Sequence, residues 1–273
     1  MHFRRTFTLL VLLLGFPCLH AREFAVRRIG ERKANAWGTD EFQITVSPLG
    51  TIRHIRVGDT ELVWQGAALY TFPYPIDGGK AIRTVQGEGY GKRGLSVEAP
   101  EVSERDVDGT HIWELTHLVA TKAVLDGRPL CRVRQTLSVT PTGEIEVVYD
   151  CEWLETVRWS SFMVLIIIDK KACSGKPFLA LEAEGTTHTG LLDKSSPGQG
   201  GQRIRNVVFE QLSLRPVPGP VHVMWPEPAT SSLYWSGGLE LRTGPPGLSR
   251  NRPIPKGHRA RLKYRFLLPV SQE

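Results

Sequence analysis

The feature that most restricts this chain is a two-residue rhythm carried by two neighbouring segments and the turn between them. In residues 132–139, Val133, Leu137 and Val139 fall on one side, while Arg132, Arg134, Thr136 and Ser138 fall on the other. That is the period of a half-buried strand. Thr140, Pro141, Thr142 and Gly143 follow. Proline presets φ at the second turn position and glycine accepts positive φ at the fourth, so a type I turn with a following bulge is predicted. Ile145, Val147, Tyr149 and Cys151 then share a face again, which closes a hairpin. Beyond Trp153, the apolar run 162–168 is too short to cross a bilayer. Its β-branched content predicts a strand buried on both faces.

The same rhythm recurs along the chain. Strands are predicted at 42–46, 51–57, 61–64 and 69–72, the last stopped by Pro73 and Pro75. Asp108 and Gly109 join strands at 102–107 and 111–120, because this pair tolerates the positive φ of a tight hairpin turn. Residues 178–182, 203–214, 221–225, 233–235 and 239–241 continue the series, and 186–202 reads as a long surface loop. The clearest alternation closes the chain, with Ala260, Leu262, Tyr264, Phe266 and Leu268 opposite Arg259, Arg261, Lys263 and Arg265. No window longer than ten residues carries a helical period. The expected class is all-β, a large antiparallel β-sandwich with few, short helices.

The chain has 273 residues. Arg4 and Arg5 precede an apolar run from 7 to 16, and Leu19, His20 and Ala21 offer a cleavage end, so 1–21 is expected to be a secretory signal peptide. The mature chain would be exported, periplasmic or secreted, with no membrane span. It would keep Cys131, Cys151 and Cys173, an odd number for an oxidising compartment. Cys131 and Cys151 sit on the two arms of the central hairpin; buried free thiols are the expectation, with register to decide. The formal net charge of +6 drops by two once Arg4 and Arg5 are removed. Such a balance permits an acidic polymer, and for an exported protein that would be an acidic glycan, not nucleic acid.

Catalytic signatures are scarce in this sequence. Gly89 to Gly94 match the dinucleotide fingerprint, but the following residues 95–100 read as extended where that motif needs a helix. There is no nucleophile elbow, zinc-protease helix, phosphate loop or calcium loop, and no cysteine spacing suited to zinc. Neither a cofactor nor a metal is therefore expected.

The order of the signals carries a resemblance: a Ser-Pro-Leu-Gly-Thr hairpin at 47–51, the central hairpin at 134–149, and a Lys256-Gly257-His258 turn before a last long strand. It resembles the β-supersandwich of the galactose mutarotase-like superfamily, a fold also found in polysaccharide lyases and in accessory domains of glycoside hydrolases. The resemblance implies one supersandwich domain over 22–273 and carbohydrate handling. In epimerase members a histidine and a carboxylate transfer protons at the anomeric centre. Here the Asn-His start of the epimerase motif is missing, and no position matches the catalytic glutamate.

Candidate binding residues follow from side-chain chemistry. Trp225, Tyr234 and Trp235 flank proline and glycine breaks near predicted strand ends, where aromatic faces can stack on sugar rings. His188 lies in the predicted loop, and Arg203 and Arg205 share a face whose forked donors suit a uronic acid. His111 and His117 lie on one strand face about 20 Å apart, too far to share a metal; structural roles are expected for both. The basic row 259–265 reads as a solvated face guarding an edge strand, and Glu182 and Glu184 as solvated carboxylates. An exported carbohydrate-binding protein is the leading reading. A carbohydrate-active enzyme of the same fold, epimerase-like or lyase-like, and a structural or assembly protein of the envelope are the alternatives.

Overall fold

The computed structural model describes residues 27–29, 35–75, 78–86, 100–120, 128–192, 204–217, 219–235, 239–248 and 252–270. The signal segment, the fingerprint at 89–94 and Arg203 lie outside them. Among the described residues nineteen strands form one hydrogen-bonded network, and every pairing between them is antiparallel. A single helical turn, α1 (Lys170–Cys173), is capped by the Asp169 carboxylate, which accepts from the Lys171 and Ala172 amides.

The network folds into two layers. The first runs β1 (Arg27–Ile29), β2 (Asn35–Gly38), β3 (Phe42–Val46), β4 (Ile52–Val57), β5 (Thr60–Pro73), β11 (Val157–Ile168), β17 (Leu239–Gly244), β16 (Thr230–Trp235) and the start of β14 (Ile204–Val217). Short β6 (Thr84–Val85) flanks the far half of β5. The second layer runs β7 (Glu101–Val107), β8 (Thr110–Val119), β9 (Cys131–Val139), β10 (Glu144–Trp153), β19 (Arg259–Leu267), β15 (Gly219–Met224), the rest of β14, β12 (Lys176–Glu182) and β13 (Thr187–Leu192). Strand β14 therefore belongs to both layers. β18 (Pro253–Ile254) pairs with the first residues of β11.

Alternation places the core between the layers. Val133, Leu137 and Val139 of β9, Ile145, Val147 and Tyr149 of β10, and Leu262, Tyr264 and Phe266 of β19 are buried. They meet Phe42, Ile44, Ile55, Leu69, Val164, Ile166 and Leu241 from the first layer. Each large side chain so buried contributes about 1.5–3 kcal/mol. The central turn forms as its residues dictate: Gly143 has φ +76 and its amide donates to the Thr140 carbonyl. Asp108 and Gly109 both take positive φ between β7 and β8.

Several expectations change. The segments predicted at 61–64 and 69–72 are one strand, β5, whose irregular register against β11 absorbs the positive φ of Ala67. Part of the predicted loop 186–202 is strand β13, because β12 offers a pairing edge that residues 187–192 do not announce themselves. The last strand is not an edge, since β19 lies between β10 and β15. Its basic row faces carboxylates of β10: Arg259 meets Glu152, Arg261 meets Asp150, Lys263 meets Glu146, and Arg265 meets Glu144 and Glu146. The row is thus neutralised across the strands.

The three described cysteines, Cys131, Cys151 and Cys173, are free and buried. Cys131 lies opposite Trp153 and Cys151 opposite Val133, which leaves the two thiols two residues out of register on neighbouring strands. The Cys131 contact and burial hold the Cys151 thiol well above its ordinary pKa, so it stays neutral.

Candidate functional site

The apolar run predicted to be buried on both faces has two different faces. Phe162, Val164, Ile166 and Ile168 enter the main core. Met163 and Leu165 point the other way, half buried in a separate cluster with Ala68, Tyr70, Phe72 and Val85. That cluster adjoins an open cavity of about 400 Å³, within the size range of small-molecule sites. A strand with apolar residues on both sides is needed here because one side packs the core and the other lies along the cleft.

A bulge shapes the cavity's aromatic end. Trp159 pairs with Pro73 and Phe162 with Thr71, so β11 carries one more residue than β5 between these pairs. The extra residue brings Trp159 and Phe162 to one side, with ring centroids 5.5 Å apart in an edge-on contact. Ser160 and Ser161, between them, line the cavity. The indole N–H of Trp159 is buried and has no hydrogen-bond partner among the described residues. A buried donor left unpaired costs about 1–3 kcal/mol.

The opposite wall comes from β14, β16 and β17. Asn206 lines the cavity from an irregular stretch of β14, with φ +55 and its amide donating to Ser232 Oγ at 2.9 Å. Asparagine tolerates this left-handed conformation better than most residues, and such outliers gather at functional sites. Thr230, Ser232 and Tyr234 of β16 and Arg242 of β17 complete the polar side. Arg242 is ion-paired to Glu240 and lies 4.4 Å from the Tyr234 ring centroid. The carboxylate and the ring together fix the guanidinium, and the pairing offsets the cost of burying Glu240.

Gly244, also in the lining, sits where a Cβ would stand 2.6 Å from the Phe162 carbonyl oxygen. Gly244→Ala must push β17 away from β11. We expect a loss of about 1–3 kcal/mol of stability in urea unfolding, together with weakened ligand binding; an unchanged midpoint would show that the strands are not so closely apposed.

The structure brings two of the predicted site residues together. Tyr234 lines the cavity, and Arg205 lies 5.8 Å from its ring centroid. Trp225 has the placement of a core residue: it is 5% exposed, packs on Phe209, and donates its indole N–H to Thr243. Trp235 pairs with Leu239 through its backbone; its side chain, like Arg203, lies outside the described residues. His188 is on β13, bonded to Glu182, and does not line the cavity. Trp159, Asn206 and Arg242 were not anticipated. The one trace they leave in sequence is the pair Ser160-Ser161 between two aromatics, which breaks the alternation.

Every one of the six histidines beyond residue 20 is described, and none lines the cavity. No carboxylate is among the described lining residues either. The histidine and carboxylate needed for proton transfer at an anomeric carbon are therefore not assembled in the described lining. His117, expected to be structural, is buried and bonded to Gln86, and His111 is buried against Trp37 and bonded to Asp106.

No protein-family model matches the sequence, and no curated protein matches it. Solved structures do share its architecture. A GalM/aldose epimerase homologue from C. elegans superposes with a TM-score of 0.54 at 11% identity, covering 86% of this chain and 98% of its own. Galactose 1-epimerase from Lactobacillus acidophilus NCFM gives 0.51 at 6% identity, covering 88% of this chain and 97% of its own. At such identities the likeness is one of fold, and chemistry must be argued from the site itself. These superpositions show that the chain shares the β-sandwich fold of the galactose mutarotase-like structures.

Proposed function

We propose that this chain is an exported protein that binds carbohydrate in the cavity between β11, β14, β16 and β17. The observation that carries this reading is the make-up of the lining. Phe72 and Tyr234 supply half-buried aromatic surface, with Trp159 and Phe162 packed behind them in the core, and Ser160, Ser161, Thr230, Ser232 and Asn206 supply neutral donors and acceptors around it. A sugar ring has apolar C–H faces rimmed by hydroxyls, so it matches a site of this kind on both counts. The fold supports the same substrate class, since the two superposed proteins are named for aldose and galactose epimerisation. Export is supported by Arg4, Arg5 and the apolar run behind them. Binding without turnover is favoured because the described lining holds neither a histidine nor a carboxylate.

Titration calorimetry against a panel of mono- and oligosaccharides tests the reading. Tyr234→Ala, at a half-buried position, is expected to weaken the best ligand about tenfold, or 1.4 kcal/mol, while leaving the thermal melt nearly unchanged. Anomer interconversion of the bound sugar, followed by polarimetry, is expected at the buffer rate. Failure of every saccharide at millimolar concentration would defeat the proposal.

A further inference from the structure

The cleft is bracketed by arginines seated on tyrosine rings. On the β5 side, Tyr70, Phe72 and Tyr74 form a row of alternate residues; Arg83 lies 5.1 Å from the Tyr70 centroid and Arg158 4.5 Å from that of Tyr74. On the far side, Arg205 and Arg242 lie 5.8 and 4.4 Å from Tyr234. Between β5, which carries Tyr70, and β16, which carries Tyr234, stand β11 and β17, so three strand spacings, about 14 Å, separate those two strands, while Arg158 and Arg242 rise from the strands between them.

Charge balance distinguishes these arginines from the rest of the surface. Around the cleft, Arg83, Arg158 and Arg205 are exposed and have no carboxylate partner among the described residues; only Arg242 is paired, with Glu240. On the outer face of β19, by contrast, Arg259, Arg261, Lys263 and Arg265 each meet a carboxylate. An arginine held on a ring face keeps its N–H edge uncommitted and oriented, which suits forked recognition of an anionic group. Uncompensated positive charge flanking a concave site also concentrates anions there.

We infer that the ligand is an acidic oligosaccharide, carrying carboxylate or sulfate groups on sugar units that flank the one held in the cavity. This rests on the carbohydrate-binding reading above and specifies it. The span between the two edges exceeds one sugar ring, so the chain would lie across the strands. Its central ring would rest against Phe72 and Tyr234, and its anions would reach Arg158 or Arg83 on one side and Arg205 on the other.

The test compares an oligouronate, the carboxyl-reduced neutral oligomer of the same linkage, a sulfated glycan and a single-stranded oligonucleotide, each titrated into the full chain. At about 0.05 M salt the oligouronate or the sulfated glycan should bind at least tenfold more tightly than the neutral oligomer. The advantage should shrink at about 0.5 M, where the Debye length falls below about 5 Å. Which anionic glycan binds better identifies the anion. Arg158→Gln and Arg205→Gln, both at exposed positions, should each weaken the acidic ligand five- to tenfold and leave the neutral one unchanged. Arg261→Gln on the ion-paired face should change neither. Equal affinity for acidic and neutral oligomers would overturn the inference while sparing the carbohydrate reading, and so would equally tight oligonucleotide binding beside a detectable sugar. Binding of no saccharide at all would remove both.

Discussion

Gln86→Leu should destabilise the protein by roughly 3–5 kcal/mol in urea unfolding, although it preserves side-chain volume and lies outside the cavity lining. Gln86 is 3% exposed and ties the two layers together through polar contacts inside the core. Its amide nitrogen donates to the Leu49 carbonyl at 2.8 Å and to Gln135 Oε1 at 2.5 Å. Its oxygen accepts from the Leu69 amide at 3.1 Å and from the Tyr149 hydroxyl at 3.3 Å. Gln135 passes the connection on by donating to the Gly50 carbonyl at 2.7 Å, and Gly50 itself holds φ +75, with room for a Cβ filled by Gln135 and Leu115. Leucine in place of Gln86 leaves the half-buried Leu49 carbonyl and the buried Leu69 amide without this partner. Each orphan costs about 1–3 kcal/mol, and apolar packing at the site regains only part of it. A loss below about 1 kcal/mol would show that the network does not bridge the layers.

The second large effect is acid sensitivity set by His117. Burial lowers its pKa from 6.5 to about 4, with a hydrogen bond to Gln135 opposing part of that shift. The Gln86 amide nitrogen, 3.2 Å from its Nε2, carries no acceptor lone pair and cannot itself accept a proton from that ring nitrogen. The unfolded chain takes up this proton near pH 6.5 and the folded chain only near 4. Stability from this group is therefore complete above pH 6.5, declines as pH falls toward 4, and levels off below. The difference integrates to roughly 3 kcal/mol at 1.36 kcal/mol per pH unit. His117→Asn should lower stability at neutral pH and flatten the profile between pH 6.5 and 4 by about that amount. A variant that keeps the wild-type slope would assign acid sensitivity to the carboxylates instead.

Much of the framework could be read from sequence because it depends on neighbours in the chain. The central hairpin, the Asp108-Gly109 turn and the inward residues of β19 follow from alternation and turn chemistry, which act over a few residues. The loop predicted at 186–202 failed for the same reason in reverse. Thr187 to Leu192 have little pattern of their own, and their strand exists because Lys176–Glu182 lies alongside. Likewise, the basic row of β19 reads in sequence as the guard of an edge strand, whereas β19 lies between β10 and β15 and β10 supplies the row's carboxylates.

The site was barely legible. Tyr234 and Arg205 were found because aromatic and guanidinium groups near strand ends are chemically conspicuous. Trp225 is equally conspicuous, yet its ring packs on Phe209 and its N–H bonds Thr243 in the core. Aromaticity alone does not say which side of a sheet a residue faces.

The sequence by itself determined that this chain makes strands, where they turn and which side chains enter the core, because each of those choices is settled by residues one to four positions apart. Only the tertiary structure decided where a ligand can sit. The cavity gathers Phe72, Trp159, Asn206, Tyr234 and Gly244 from five strands spread along most of the chain. Its shape depends on the register slip at Ser160 and Ser161 and on the left-handed turn at Asn206. Such features arise from how strands pair, and pairing is fixed by the partner across the sheet.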